Sequence, residues 1–423
     1  MLQFNRLTHF WQCWRQAVQG AIAILLACSL SGCDLPQVSA ESRLFAPLAL
    51  DYLGSYTLPK TEFQGTRVGG LSALTYDRQR DRFYALSDDR SEFAPARFYT
   101  LKINLGTAST SAQSPNAPSQ SPPRDLGGKP DSATTAPSIQ NIQLESVTIL
   151  IDENNQPFAK GAIDPEGLVL SPLGTLFLAS EGITSKSIPP FIAEVDRASG
   201  KIKRYLPVPE RYIPNLQDPT KPQGVQENLG FESLTVPPGG YGNQNVEPFR
   251  IFTATEAALA QDTTSPNPEL GLRSRMLHYM VEPDRSLLIS EHLYELDPAP
   301  EGVLSHGVTE MLALDQGGHF LSIERSFGLK SGFQIKLFQL ASGGATDTST
   351  IASLAGELRG IAPIRKQLLL DLSQLDIQLD NFEGLTFGPR LSDGSQSLLL
   401  VSDDNFQEQQ ITQFLLFRLR GLK

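Results

Sequence analysis

The sequence predicts an all-β fold built by radial repetition, and three observations carry that expectation. Short apolar runs rich in Leu, Val, Ile, Phe and Tyr alternate with turn residues. Beyond residue 32 there is no sustained 3.6-residue periodicity. Five hairpin-like units carry an acid or hydroxyl at one outer end and an acid at the other, and their markers Ser72, Glu166, Glu232, Glu310 and Glu383 recur every 66 to 94 residues.

The unit from Asn381 to Asn405 shows the pattern most plainly. Leu385 to Phe387 and Leu398 to Val401 flank the turn-rich Ser392-Asp393-Gly394. An antiparallel hairpin sets the start of one strand beside the end of the other, so Glu383 and Asp403 should meet on one rim. The midpoint of their numbers falls on the turn. The same holds for Glu166 with Glu181, for Glu310 with Glu324 centred on Gly317, and for Glu232 with Glu256 centred on Gln244. In the first unit Ser72 takes the place of the leading acid, and its centre with Asp88 is Arg80.

Residues 1–32 read as a targeting segment. Arg6 and Arg15 precede an apolar run from Ala17 to Leu30, which ends in Leu30-Ser31-Gly32-Cys33. That tetrapeptide resembles the bacterial lipoprotein signal, which implies cleavage before Cys33 and lipidation of its thiol. An ordinary secretory signal with an incidental cysteine is the other reading. Loss of Cys13 and Cys28 with the signal would leave Cys33 alone, so no internal disulfide could form and stability must come from the core. Loss of the two arginines would move the formal charge from -11 to -13, which argues against nucleic acid or anionic lipid as a partner. These features describe a monomeric acidic body on the periplasmic or cell-surface side, tethered through residues 33–47 to a membrane by its lipid alone.

The body is expected to span 48–423. Its first hairpin and the strand Arg97 to Ile103 are followed by Gly106 to Gln140, rich in Ser, Pro, Ala and Thr, which reads as a disordered insertion at about 106–140. Shorter surface loops are expected at Pro214 to Asn228, Gln261 to Leu270 and Ala341 to Thr350. Ile361 to Leu375 reads equally as a helix or a strand pair. Radial repetition of hairpins makes a β-propeller, with six blades expected, one too divergent to mark itself, within a range of five to seven. A β-sandwich is the alternative, but it leaves the repeated acidic rim unexplained.

The motifs Gly69 to Arg90, Asp164 to Leu168 with Leu178 to Gly182, Asn228 to Leu234, Arg273 to Arg275, Thr309 to Leu314 with Ile323 to Arg325, and Asn381 to Gly394 with Leu398 to Phe406 carry a family resemblance. Together they resemble the phytase-like family, whose members are described by esterase-like activity of phytase. The resemblance spans roughly Leu48 to Phe417 and implies phosphoester or ester hydrolysis of a small molecule by an exported protein.

The residues themselves point to a cation site. In a propeller, equivalent rims assemble into one ring at one mouth of the channel. That ring is expected to hold Asp88, Asp89, Asp164, Glu166, Glu181, Glu232, Glu256, Glu310, Glu324, Glu383, Asp403 and Asp404. So many carboxylates cannot all ionise at close range without raised pKa values, ion pairs or bound cations. A ring without Cys and nearly without His favours a hard divalent cation, Ca²⁺ before Mg²⁺ or Mn²⁺. Arg90, Arg273, Arg275 and Arg325 are the basic counterpart, suited to pair with the acids or grip a phosphate. The catalytic candidates are Glu166, Glu383, Asp403, Arg90, Arg275 and Arg325.

Other chemistries lack their motifs. There is no Gly-x-Ser-x-Gly elbow, His-Glu-x-x-His or phosphate-cradling Gly-x-x-x-x-Gly-Lys loop, so a serine esterase is disfavoured. His278, His292, His306 and His319 are scattered, and only His306 is placed to reach the rim. The expected function is a metal-dependent phosphoesterase or esterase-like hydrolase. The alternative is a non-catalytic propeller that binds a ligand or protein at the same mouth, with cations as structural ties.

Overall fold

The computed structural model describes residues 44–107, 137–215, 217–218, 220–239, 248–263 and 272–422. The expected signal, the lipidated Cys33, most of the tether and the centre of the Ser/Pro-rich insertion lie outside these residues.

Chain order builds the sheets. Strand β1 (Ala49–Leu58) and the small hairpin β2 (Thr61–Phe63) and β3 (Thr66–Val68) precede the first blade. That blade is β4 (Leu71–Asp77), β5 (Arg82–Ser87), β6 (Arg97–Thr107) and β7 (Pro137–Ile149). Blade 2 is β8 (Pro165–Leu170), β9 (Leu176–Ser180), β10 (Phe191–Val195) and β11 (Ile202–Tyr205). Blade 3 is β12 (Phe231–Thr235), β13 (Phe249–Thr255), β14 (Arg273–Val281) and β15 (Ser286–Glu295). Blade 4 is β16 (Ser305–Ala313), β17 (His319–Gly328), β18 (Gly332–Ala341) and β19 (Arg365–Asp371). Blade 5 takes β20 (Asn381–Arg390), β21 (Gln396–Asp403) and β22 (Thr412–Arg420) from the end of the chain and its outer strand, β1, from the beginning.

The inner strands close a circle, with β4 against β8, β8 against β12, β12 against β16, β16 against β20 and β20 against β4. The fold is therefore an all-β propeller of five blades. The five markers in the sequence are the whole set, and no divergent sixth blade exists among the described residues. Ile361 to Leu375 is neither a helix nor a strand pair, since β19 is followed directly by a 3-10 turn at Leu372–Gln374.

Five apolar clusters hold the circle, one at each junction between neighbouring blades. Alternation along each strand divides its side chains between two junctions. In β21, Leu398 and Leu400 face blade 4, while Leu399 and Val401 face blade 1. In β22, Leu415, Phe417 and Leu419 take the first direction and Phe414 and Leu416 the second. Strands buried on both faces read as unbroken apolar runs, which is why Leu398 to Val401 carries no polar interruption.

The ring is fastened where the chain's two ends meet. β1 pairs antiparallel with β22 from Ala49 opposite Arg420 to Leu58 opposite Thr412. Leu415→Ala, fully buried at the junction of blades 4 and 5, should cost about 2–5 kcal/mol in chemical denaturation. Leu287→Ala, on the exposed outer edge of blade 3, should stay within about 0.5 kcal/mol.

Candidate functional site

The site comes from one irregularity repeated in every inner strand. Each pairs with its neighbour through a register shift that leaves one residue unpaired: Ser72, Glu166, Glu232, Thr309 and Glu383. A bulge re-aims its extra side chain. The second strand of each blade supplies a matching position just beyond the bulge: Asp88, Glu181, Glu256, Arg325 and Asp403. These ten positions hold seven carboxylates, one guanidinium and two hydroxyls. The hydroxyls face sideways: Ser72 Oγ donates to Glu166 O at 3.2 Å, and Thr309 Oγ1 donates to Phe382 O at 3.2 Å.

All seven acids and Arg325 line a cavity of about 890 Å³ at the channel mouth. Room for them is made by glycines on the inner strands. A methyl at Gly307 would lie 2.3 Å from Glu256 Cγ, and one at Gly230 would lie 2.5 Å from the backbone oxygen of Glu181.

The carboxylates differ in their partners. Arg325 donates to Glu256 Oε1 at 2.6 Å, Glu383 Oε1 at 2.8 Å and Asn381 Oδ1 at 2.5 Å. Asn381 Nδ2 also donates to Glu383 Oε1 at 2.8 Å. Glu181 Oε1 accepts the Gly230 N–H at 2.7 Å, and Asp403 Oδ1 accepts the Asn405 N–H at 2.7 Å. Asp164 stands just behind the ring, where its Oδ1 accepts from Arg90 Nε at 2.5 Å. Its Oδ2 is buried without a partner. Two triads can each turn one oxygen per residue to within 4.8 Å of the others, Asp164 with Glu166 and Glu181, and Glu181 with Glu232 and Glu256. The donor set is all oxygen, Glu181 is common to both triads, and Asp164 in one of them keeps a buried oxygen without a partner. These residues fit a hard cation.

The electrostatic cost of this arrangement appears in the proton affinities. Burial, reinforced by neighbouring carboxylates, pushes Asp88, Glu166, Glu181, Glu232 and Asp403 well above the usual carboxylate range. Burial raises Asp164 to about 6 against the pull of Arg90. It raises Glu383 to about 7 against the pull of Arg325. Arg325 stays charged because Glu256 and Glu383 outweigh its own burial.

Several residues expected at the rim are used elsewhere. Glu310 sits one residue past the bulge, where Thr309 holds the equivalent position, and its Oε1 accepts the Met311 N–H at 2.9 Å. Glu324 lies one step before the ring position held by Arg325, so it faces the other way, accepting from Tyr294 Oη at 2.9 Å and the Asp297 N–H at 3.1 Å. Asp404 accepts the Gly70 N–H at 2.9 Å and the Phe406 N–H at 3.1 Å. Asp89 lines the cavity wall, but its carboxylate caps Glu92, Phe93 and Ala94 N–H groups and pairs with buried Arg97 at 2.7 Å.

Arg275 does not reach the mouth. It is fully buried between Asp262, at 2.7 Å, and Glu291. Arg273 donates to Leu354 O and Gly356 O. His306 bonds Ser326 Oγ and Asp297 O, both at 2.8 Å, and lies outside the cavity. Of the arginine candidates, Arg90 and Arg325 line the cavity.

The sign of the pH dependence follows from the raised values. The fold holds protons that the unfolded chain releases above about pH 4.5, so this contribution is full below that pH and is lost as pH rises through about 6 and about 7. The melting temperature of chelator-treated protein should therefore fall between pH 5 and pH 8. Glu383→Gln, which cannot ionise, should flatten part of that fall in a calorimetric scan.

Comparison with known proteins adds the family. Among solved structures the chain is similar to an endo-arabinase from Bacteroides thetaiotaomicron, at 9% identity over 83% of this chain and 94% of that one, with a TM-score of 0.40. It is similar to a thermostable family-43 glycoside hydrolase at 10% identity over 86% and 92%, with a TM-score of 0.37. The N-terminal domain of Nup159 is matched at 10% identity over 88% and 95%, with a TM-score of 0.27. No curated protein matches. The model of one family does match, over residues 66–406, and it takes in every position of the double ring: the chain belongs to the phytase-like family described by esterase-like activity of phytase.

Proposed function

We propose that this chain is an exported, metal-dependent phosphoesterase whose acidic mouth holds divalent cations, Ca²⁺ before Mg²⁺ or Mn²⁺, on a body anchored through a lipid on Cys33. The observation that carries the reading is the pair of oxygen-only triads sharing Glu181, one of which includes Asp164, whose Oδ2 is buried without a partner. The raised proton affinities are the cost of burying these carboxylates beside one another. Export and the anchor rest on residues 1–33 of the sequence.

A bound divalent cation would supply neutralising charge and Lewis-acid polarisation of phosphoryl oxygens. The chain's own groups supply the rest. Asp164, Glu166 and Glu181 would hold one cation, and Glu181, Glu232 and Glu256 a second. Arg325, steered by Glu256 and Glu383, offers guanidinium charge to an oxygen of the phosphoryl group. Arg90 does the same from the opposite side, held by Asp164 and Asn228. Glu383 engages Arg325 and Asn381 through Oε1, which leaves Oε2 to accept a proton from attacking water.

The second reading is a non-catalytic binding propeller, and the backbone-capped Asp89 and Asp404 favour it, since such acids serve structure alone. The two readings part on turnover. Full-length protein is stripped with a chelator, and Ca²⁺, Mg²⁺ or Mn²⁺ is restored in an assay with 4-nitrophenyl phosphate. Activity should require the cation. Glu383→Gln should lower kcat about 100-fold or more with metal affinity kept, whereas Glu166→Gln with Glu232→Gln should weaken metal binding itself. Absence of turnover with every cation, alongside a melting temperature raised by Ca²⁺, would overturn the hydrolytic reading and leave the binding propeller.

A further inference from the structure

Resting on that reading, we propose that the mouth takes a phosphate monoester of an apolar alcohol, its phosphate over the acidic floor and its hydrocarbon part across a lip formed by blades 4, 5 and 1. The first observation is where apolar side chains are left in water. Three large apolar residues among those described are more than 60% exposed: Leu329 at 82%, Leu304 at 67% and Phe93 at 62%. One belongs to the mouth and the other two adjoin residues that line it. Phe93 lines the cavity, Leu304 directly precedes the lining Ser305 and donates its N–H to Phe327 O at 2.6 Å, and Leu329 stands two residues beyond the lining Phe327. Scattered exposed leucines need no explanation, but a set gathered around one opening does.

A second observation is independent of exposure. Two aromatic pairs flank blade 5, Phe93 with Phe406 at 4.8 Å between ring centroids and Phe327 with Phe333 at 4.7 Å. The first pair is braced by the Arg67 guanidinium, 5.9 Å from one ring and 5.6 Å from the other. Beyond the floor acids Glu383 and Asp403, blade 5 lines the cavity with the uncharged Asn405, Gln407, Gln409 and Gln410. On the other side, blades 2 and 3 supply four of the seven floor acids, Glu166, Glu181, Glu232 and Glu256. A mouth with acids around its floor and all four of its aromatic lining residues on blades 4, 5 and 1 matches a ligand with one anionic end and one apolar part. It does not match a polyol carrying phosphates on every face, which would press anionic groups against phenylalanine and leucine.

The test is a chain-length series. Full-length protein with Ca²⁺, Mg²⁺ or Mn²⁺ in turn is given methyl, butyl and octyl phosphate below the micelle threshold, and calorimetry in parallel measures binding of methyl- and octylphosphonate, which cannot be hydrolysed. Octyl should exceed methyl at least 10-fold in kcat/KM and in phosphonate affinity. Leu304→Ser with Leu329→Ser, two exposed residues outside the floor, should remove most of that gain and leave methyl phosphate unchanged. A phosphonate preference without turnover would sustain the apolar lip and sink the hydrolytic reading. Turnover with a flat series would do the reverse. Equal phosphonate affinities, or binding of neither, would overturn the inference. Vesicles containing phosphatidate separate the sources of such a ligand: phosphate release from them places the apolar part in a bilayer, and release from octyl phosphate alone places it free in water.

Discussion

Repulsion among the carboxylates at the channel mouth is the load that the rest of the fold must carry. Closing a circle of five bulged inner strands brings seven acids onto one cavity, and burial denies them most of the screening that water would give. The fold answers in two ways. Five apolar junctions resist any opening of the circle, and the β1–β22 pairing locks the last blade with the first strand. Within the mouth, Arg325 and Arg90 bring positive charge to three acids, Glu256, Glu383 and Asp164. Two guanidinium groups do not balance the remaining carboxylates. Burial first, and then that imbalance, raise the proton affinity of the acids that neither guanidinium reaches.

Much of this was legible in the sequence because a propeller repeats its local chemistry. The spacing of five hairpins and the acids at their ends gave the fold class and placed Glu166, Glu181, Glu232, Glu256, Glu383 and Asp403 at one mouth. The blade count was overstated because sequence separation alone cannot tell a long loop from a missing blade; the first interval holds the Ser/Pro-rich insertion. What failed was register at single-residue precision. A bulge adds one residue to one strand, so centring a hairpin on its turn cannot say which of Thr309 and Glu310, or Glu324 and Arg325, faces the mouth. Arg275 was misplaced for another reason. Its counter-charges Asp262 and Glu291 stand 13 and 16 residues away on a neighbouring turn and strand, and nothing in the residues beside it distinguishes a buried arginine held between two acids from one aimed at a phosphate.

The ring's departures from five-fold symmetry give the mouth a direction. Blades 2 and 3 carry acids at both ring positions, whereas blade 1 has a hydroxyl in one of them and blade 4 replaces both, with Thr309 and Arg325. Blade 5 keeps both acids, and one of them, Glu383, accepts from Arg325 and Asn381. Compensation by guanidinium is therefore concentrated beside blade 4, where Arg325 reaches Glu256 and Glu383. The apolar lip rises above that compensated side. A ligand with one anionic end would be drawn toward a cation at blades 2 and 3, passing the Arg325 side with its uncharged part turned outward. Symmetry of the backbone builds the ring, and the two places where serine and threonine stand in for glutamate decide which way it faces.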